Sequence, residues 1–379
     1  MEQRAPAPGP SSVPPSPPSE PPGPVPILTS WQRFKRVLLG GPKDFQDPDL
    51  FNSLSLAAFL AWVGLGADGL SSSAYGPEEA FKNLGQHQYL AIFLALVTGL
   101  TVLVISAAYT KIIEHFPFGG GGYIVTSRLI GPRAGVVSGA ALIIDYVLTC
   151  TTSVAAGGEA IFSNFPEVWH VWKLPVELAA IAILTILNLR GVRESIRVLL
   201  PVFVTFLITH AILIMAAVGF HLGRVDDVAR EVSHGLSTDL STMGFIGLAL
   251  LFLRAYSLGA GTYTGIEAVS NGLSIMREPR VLTGKRTMVY MAVSLSVTAG
   301  GIILGYLLMG VHHVPGKTMN YVLAQMVAGN LNLGPVPLGH WYVIVTIASE
   351  ALLLFVAAQA GFIAGPRVKS AVGSSSAIS

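Results

Sequence analysis

Three carboxylates stand in stretches of chain otherwise suited to a bilayer: Asp68, Asp145 and Glu267. An ionised acid at the centre of a spanning helix costs about 2.5–3.5 kcal/mol on insertion scales, so each needs a compensating role. Oxygen-bearing neighbours accompany all three. Tyr75 follows Asp68 closely enough for a carboxylate and a phenol to reach a common point if the chain between them bends. Asp145, Thr149 and Thr152 fall on one helical stripe by i, i+4 and i+7 spacing, with Tyr146 and Ser153 beside it. Thr264 and Glu267 are spaced i, i+3. Such oxygens suit a hard, weakly hydrated cation, and an acid among them could carry a proton. The structural alternative for each acid is a carboxylate that merely satisfies freed backbone amides at a half-helix end.

The elements that must hold these residues are long apolar helices. A hydropathy window of about 19 residues predicts spans near 54–76, 87–112, 133–161, 174–190, 198–221, 243–274, 286–311 and 338–363. Two of them carry interruptions. The first contains Gly64 and Gly66, followed by Asp68, Gly69, a serine run and Tyr75-Gly76-Pro77; the second contains Gly259 and Gly261, followed by Thr262, Thr264 and Gly265. Glycine at this density weakens a helix, and freed backbone inside a bilayer is tolerated only where it is buried in protein or lines a cavity. The competing reading is that these glycines only let helices pack closely. The two interrupted spans are the first and the sixth, five places apart, and an odd number of helices per repeat turns the second repeat upside down. This is the plan in which a substrate sits between discontinuous helices.

Composition excludes several classes. With 52% hydrophobic and 12% charged residues the chain is too apolar for an ordinary soluble domain, where charged residues are about a quarter. The formal net charge of +2 is scattered rather than striped, so nucleic acid is not an implied partner; the lipid bilayer is. A single cysteine, Cys150, allows neither a disulfide framework nor a thiolate metal site. The glycine run 119–122 lacks the Gly-Lys-Ser/Thr of a phosphate-binding loop, and no enzyme chemistry is implied. Residues 1–30 read as a disordered, proline-rich cytoplasmic tail, and 31–52 as a basic membrane-proximal segment carrying Trp31, Arg33, Lys35, Arg36 and Lys43. Lys111, Arg128, Arg133, Arg190, Arg193, Arg197, Arg277, Arg280, Lys285 and Arg286 fall between alternate spans on the side of the N-terminus, which predicts a cytoplasmic N-terminus. Glu350 in span eight, Glu159 and Glu177 near span ends and His210 in span five are pathway candidates, against the commoner reading that a single acid near an interface is solvated; Arg254, at the outer end of span six, is expected to snorkel.

The stretch Phe116-Pro117-Phe118-Gly119-Gly120-Gly121-Gly122-Tyr123 resembles the Pro-x-Gly-Gly-x-Tyr signature of the amino acid-polyamine-organocation (APC) superfamily. Asn188 with Gly191, and Gly265-x-Glu267-x-x-x-Asn271 leading to Glu278-Pro279-Arg280, resemble it too. Within the superfamily, Asp68 to Tyr75 with Glu78 and Glu79, Asp145-Tyr146-x-x-Thr149, and Thr264-Gly265-Ile266-Glu267-Ala268 resemble the KUP-type and KimA-like potassium uptake group. The likeness covers residues 50 to about 367.

The resemblance implies an all-α polytopic membrane protein with a LeuT-like inverted-repeat fold, helices one and six broken and the second repeat incomplete. It divides the chain into a first five-helix repeat over 53–222, an extracellular loop over 223–242, a partial second repeat over 243–367 and a low-complexity stub over 368–379. It implies a secondary transporter of the cell membrane, taking up potassium by potassium/proton symport through alternating access. Asp68, Tyr75, Tyr146, Thr149 and Thr264 would bind the cation, Asp145 and Glu267 are the proton-coupling candidates, and the backbone at Gly64, Gly66, Gly259 and Gly261 would open the helices. No cofactor is implied beyond the transported potassium ion and proton, and no transition metal; full-length relatives leave room for a homodimer. The alternatives are a proton-coupled amino acid permease of the same superfamily and a truncated, non-functional transporter, since the family pattern expects at least ten spans.

Overall fold

The structure is a computed structural model that describes residues 57–117, 119, 121–189, 196–221, 223, 225–332 and 334–376, with side chains as far as 362 except at 197 and 225. The tail and basic segment expected over 1–52, and Gly120, Arg190, Gly191, Arg193 and Arg224, lie outside the described residues.

The helices are α1 (Ala58–Ser71), α2 (Gly76–Lys82), α3 (Ala91–His115), α4 (Gly121–Leu129), α5 (Pro132–Phe162), α6 (Lys173–Leu189), α7 (Ile196–Gly219), α8 (Val225–Thr242), α9 (Gly244–Leu258), α10 (Ala268–Asn271), α11 (Arg280–Met309), α12 (Met319–Ala328) and α13 (Leu338–Ser376). Among the described residues there is no β-strand. Among the described residues, seven helical stretches are long and apolar enough to cross a membrane: Gln88–His115, Pro132–Phe162, Glu167–Leu189, Val198–Gly219, Gly244–Asn271, Arg280–Met309 and Leu338–Phe362. The eighth expected span is the α1–α2 pair, whose halves are each too short to cross alone.

Both interrupted helices exist, and one lies later than its glycines suggest. Gly64 and Gly66 sit inside regular α1, so they do not open the helix. The interruption comes at a 3-10 turn over Ser72–Ala74. There the hydroxyls of Ser71, Ser72 and Ser73 donate to the carbonyls of Asp68, Gly69 and Leu70 at 2.7, 2.5 and 2.7 Å. Side-chain bonds of this kind compete with the helical ladder, which gives the local reason for the break. Tyr75, at φ −120°, then starts the new helix with Pro77 in its first turn. The second interruption is a 3-10 stretch over Gly259–Tyr263, followed by extended Thr264 and by Gly265 at φ +81°.

The two broken helices run antiparallel. The second half of the first, α2, packs on α9 and the Gly259–Tyr263 turn, while its first half, α1, packs on α10. That pairing is what a repeat inverted relative to its partner produces. Around them α5 packs along α13, α3 along α11, and α7 against α13 and α11. Buried Tyr306 of α11 meets Phe81 of α2 edge-on at 5.4 Å, and Trp62 of α1 meets Phe203 of α7 at 4.9 Å. The outward faces carry Leu96, Leu100 and Leu103 on α3 and Phe245, Ile246 and Leu250 on α9, all exposed, as a lipid-facing surface requires. Residues 223–242, expected to be a loop, contain α8, an 18-residue helix with a polar and an apolar face.

Candidate functional site

The site is built where the two interruptions touch. A Cβ placed on Gly265 would lie 2.6 Å from Gly69 N and 2.9 Å from Asp68 Cγ; one on Gly76 would lie 2.7 Å from Thr262 N. Only glycine permits this approach of backbone to backbone. Ser72 Oγ also lies 2.7 Å from Thr262 O, so its one hydrogen is shared between that carbonyl and Gly69 O across the contact.

Oxygens converge beside this contact. The Tyr75 phenol is 3.3 Å from Thr264 Oγ1 and donates at 3.4 Å to Gly261 O, a carbonyl that also accepts from Thr264 Oγ1 at 3.0 Å. Thr152 of α5 also reaches the Tyr75 phenol. Asp68 is buried in α1 at 6% exposure, one helical step before the close approach to Gly265. Tyr146 is buried in α5, and its hydroxyl accepts from Asn271 Nδ2 at 3.2 Å. The charges of Glu267, Asp68 and Asp145 all act on that phenol. Asp68 and Asp145 act on Glu267 in turn. Glu267 Oε1 is buried and has no hydrogen-bond partner among the described residues.

The sequence-expected residues therefore divide by position. Tyr75 and Thr264 are in direct contact; Asp68, Asp145, Glu267 and Tyr146 share one electrostatic neighbourhood; Thr149 is buried one turn beyond Asp145 on α5. Gly259 and Gly261 lie in the second interruption, each against α2 or its first residues: a Cβ on Gly259 would meet Ala80, and one on Gly261 the Tyr75 ring. Gly64 and Gly66 stay in α1. Asn271 was legible only as part of a motif. It binds Tyr146 and also fills the space where Gly121, at φ +55°, has no side chain.

Three other expectations change. Glu350 and His210 are not solvated: each is 1% exposed, and they face one another at 3.4 Å. Arg254 is not at an end of its span but within α9, about one turn before the second interruption, with its side chain exposed. Glu159 is half-buried and paired with Lys173 at 3.1 Å.

Apolar helices surrounding two antiparallel broken ones, with carboxylates and hydroxyls at the break, define a polytopic membrane protein of the discontinuous-helix kind. Residues 54–378 match the family model described as amino acid permease, and the chain belongs to that family. It is also 32% identical over 348 residues to the potassium transporter KimA of Bacillus subtilis (strain 168), a match covering 89% of this chain and 53% of that relative. The chain thus spans about half the length of the curated relative it matches.

Proposed function

We propose that the protein is a secondary active transporter of the cell membrane that takes up potassium together with protons by alternating access, with its N-terminus in the cytoplasm. The observation that carries this reading is the contact of Tyr75 with Thr264 and Gly261 O at the meeting point of the two broken helices, next to buried Asp68. A phenol, a hydroxyl and a freed carbonyl beside a carboxylate suit a cation that sheds its water for weak oxygen dipoles. In this reading Asp68, Tyr75, Tyr146, Thr149 and Thr264 hold the ion. Asp145 and Glu267, charged neighbours of the same site, are the candidates within it for the coupled proton. The likeness to a protein named as a potassium transporter supports the choice of ion.

A second reading rests on the family match: a proton-coupled amino acid permease, in which a half-helix end holds the substrate carboxylate. Three acids around the site weigh against it, because a substrate carboxylate would have to lie beside them. The test is growth at limiting potassium of a host stripped of its own uptake systems, expressing the protein or its Asp68→Asn variant. Rescue by the protein and its loss in the variant supports potassium import. Failure to rescue despite membrane expression, with uptake of labelled amino acid, moves the assignment to the permease.

A further inference from the structure

Two buried amides in this protein behave differently. Asn320 of α12, in the cluster it forms with Glu78, His210, Tyr306 and Glu350, uses every polar group it has. Its N–H donors go to Glu350 Oε2 at 3.1 Å and Ala74 O at 3.2 Å, and its oxygen accepts from the Tyr306 hydroxyl at 2.6 Å. Asn271, the last residue of α10, does not. Its Nδ2 donates to the Tyr146 hydroxyl at 3.2 Å, while its Oδ1 is buried without a hydrogen-bond partner among the described residues. An amide that served stability alone would pair both ends, because an unpaired buried acceptor is costly.

Backbone holds Asn271 in this position. Gly119, at φ +84°, lies so close that a Cβ on it would come 3.1 Å from Asn271 O and 3.4 Å from Ser270 O. Gly121, at φ +55° and the first residue of α4, leaves open the space in which a Cβ would run into Asn271 Oδ1. Both positions need glycine for their left-handed backbone and for the close approach. Asn271 N also donates to Glu267 O at 2.9 Å, which fixes the amide one helical turn from the Glu267 carboxylate.

The consequence falls on Tyr146. A phenol oxygen has one hydrogen and two lone pairs. With one lone pair taken by Asn271, the hydrogen and the other lone pair are left for the site, where the charges of Glu267, Asp68 and Asp145 act on the phenol. A carboxylate there attracts the hydrogen, which leaves the second lone pair for a cation.

We infer that Asn271 is a positioning residue of the ion site: clamped by Gly119 and Gly121, it sets the rotation of the Tyr146 hydroxyl and so the affinity for the transported ion. This rests on the proposed potassium uptake. Through Asn271, α4 acts on the site without touching the ion, because drawing α4 away from α10 frees the amide and the phenol with it.

The experiment measures rubidium uptake against concentration with purified protein in liposomes, for wild type, Asn271→Ala, Tyr146→Phe and the double variant, each first checked for folding by thermal unfolding. Asn271→Ala is expected to raise the half-maximal rubidium concentration about fivefold, the loss of one hydrogen bond, with the maximal rate changed far less. In the Tyr146→Phe background the same substitution is expected to raise it no further, since the hydroxyl that Asn271 positions is gone. Gly121→Ala, which displaces the amide from the other side, is expected to reproduce the rise and to add nothing to Asn271→Ala. If Asn271→Ala does not fold, Asn271→Ser, whose shorter side chain falls short of Tyr146, carries the test. The inference is overturned if the folded Asn271 variant changes only stability or maximal rate and keeps the wild-type half-maximal concentration, or if its effect persists in full in the Tyr146→Phe background; both outcomes leave potassium transport intact. If wild type moves labelled amino acid and no rubidium, the functional reading fails, and the inference falls with it.

Discussion

Tyr75 and Thr264, 189 positions apart in the chain, bring their side-chain oxygens within 3.3 Å of each other, one at the start of the second half of the first broken helix, the other at the end of the second interruption. Neither residue has this contact by local geometry; it exists only because the two broken helices run antiparallel and their backbones touch. On the proposed potassium uptake, removing the phenol oxygen with Tyr75→Phe takes away one oxygen contact of about 1 kcal/mol, which corresponds to roughly a fivefold rise in the potassium concentration for half-maximal uptake. Thr264→Val should act in the same direction. The double variant should fall short of the sum of the two by about 0.5–1.5 kcal/mol, the coupling expected of a shared contact. Rubidium uptake over a range of concentrations for the four proteins measures this; strict additivity would mean that the two oxygens act independently.

The close approach of the helix breaks makes its own prediction. Gly265→Ala would drive a methyl group to 2.6 Å from Gly69 N, at φ +81° where an L residue is already strained by about 1–3 kcal/mol. Backbone cannot yield as a flexible side chain would, so a large fall in thermal stability, with loss of uptake, is expected. Gly219→Ala is the control, because a Cβ there meets nothing within 4 Å. A thermal unfolding scan in detergent should separate the two variants clearly.

How much of this was legible in the sequence follows from the range of the forces involved. The spans were readable because hydropathy is local, and the second interruption because Gly259 and Gly261 lie within it. The first was misjudged. Gly64 and Gly66 are tolerated inside α1, packed so tightly that a Cβ on Gly66 would come 2.7 Å from the Trp62 ring, and the helix opens only where three successive serines bond back to its carbonyls. The helix α8 was hidden because its alternation of polar and apolar residues lowers mean hydropathy below any spanning threshold. The Glu350 cluster could not be foreseen, since no spacing rule links residues 78, 210, 306, 320 and 350 before five helices are assembled.

The α8 helix is tied to the start of α3 by one carboxylate. Asp239 accepts from Tyr89 OH at 2.6 Å and faces His87 Nδ1, while Gly235 lets the helix rest on the Tyr89 ring. Burial pushes the Asp239 carboxyl up, but the bonds from Tyr89 and His87 outweigh it and hold it below the ordinary carboxylate range. A depressed folded value means that the attachment is fully stabilising above the unfolded value of about 3.9 and is lost as pH falls through the lower folded value. The protection of the α8 amides, taken relative to the intrinsic exchange rate at each pH, should therefore stay high at neutral pH and fall only in strong acid. Asp239→Asn should exchange faster at neutral pH and lose the acid dependence; an unchanged neutral rate would show that α8 is held by packing alone.

Asn320 offers the sharpest contrast in stability, because both N–H groups and the oxygen of its fully buried amide are used. Tyr306→Phe removes one donor and leaves only Asn320 Oδ1 unpaired, a cost of about 1–3 kcal/mol for one buried acceptor. Asn320→Leu, of similar volume, leaves three partners stranded at once: the Tyr306 hydroxyl, Glu350 Oε2 and Ala74 O. Stranding three groups should cost more than twice the single loss, and the carbonyl of Ala74 would be released within the first interruption. The order expected in thermal unfolding is wild type, then Tyr306→Phe, then Asn320→Leu well below both. If Asn320→Leu instead matched or exceeded Tyr306→Phe in stability, the leucine would be replacing the network by simple packing.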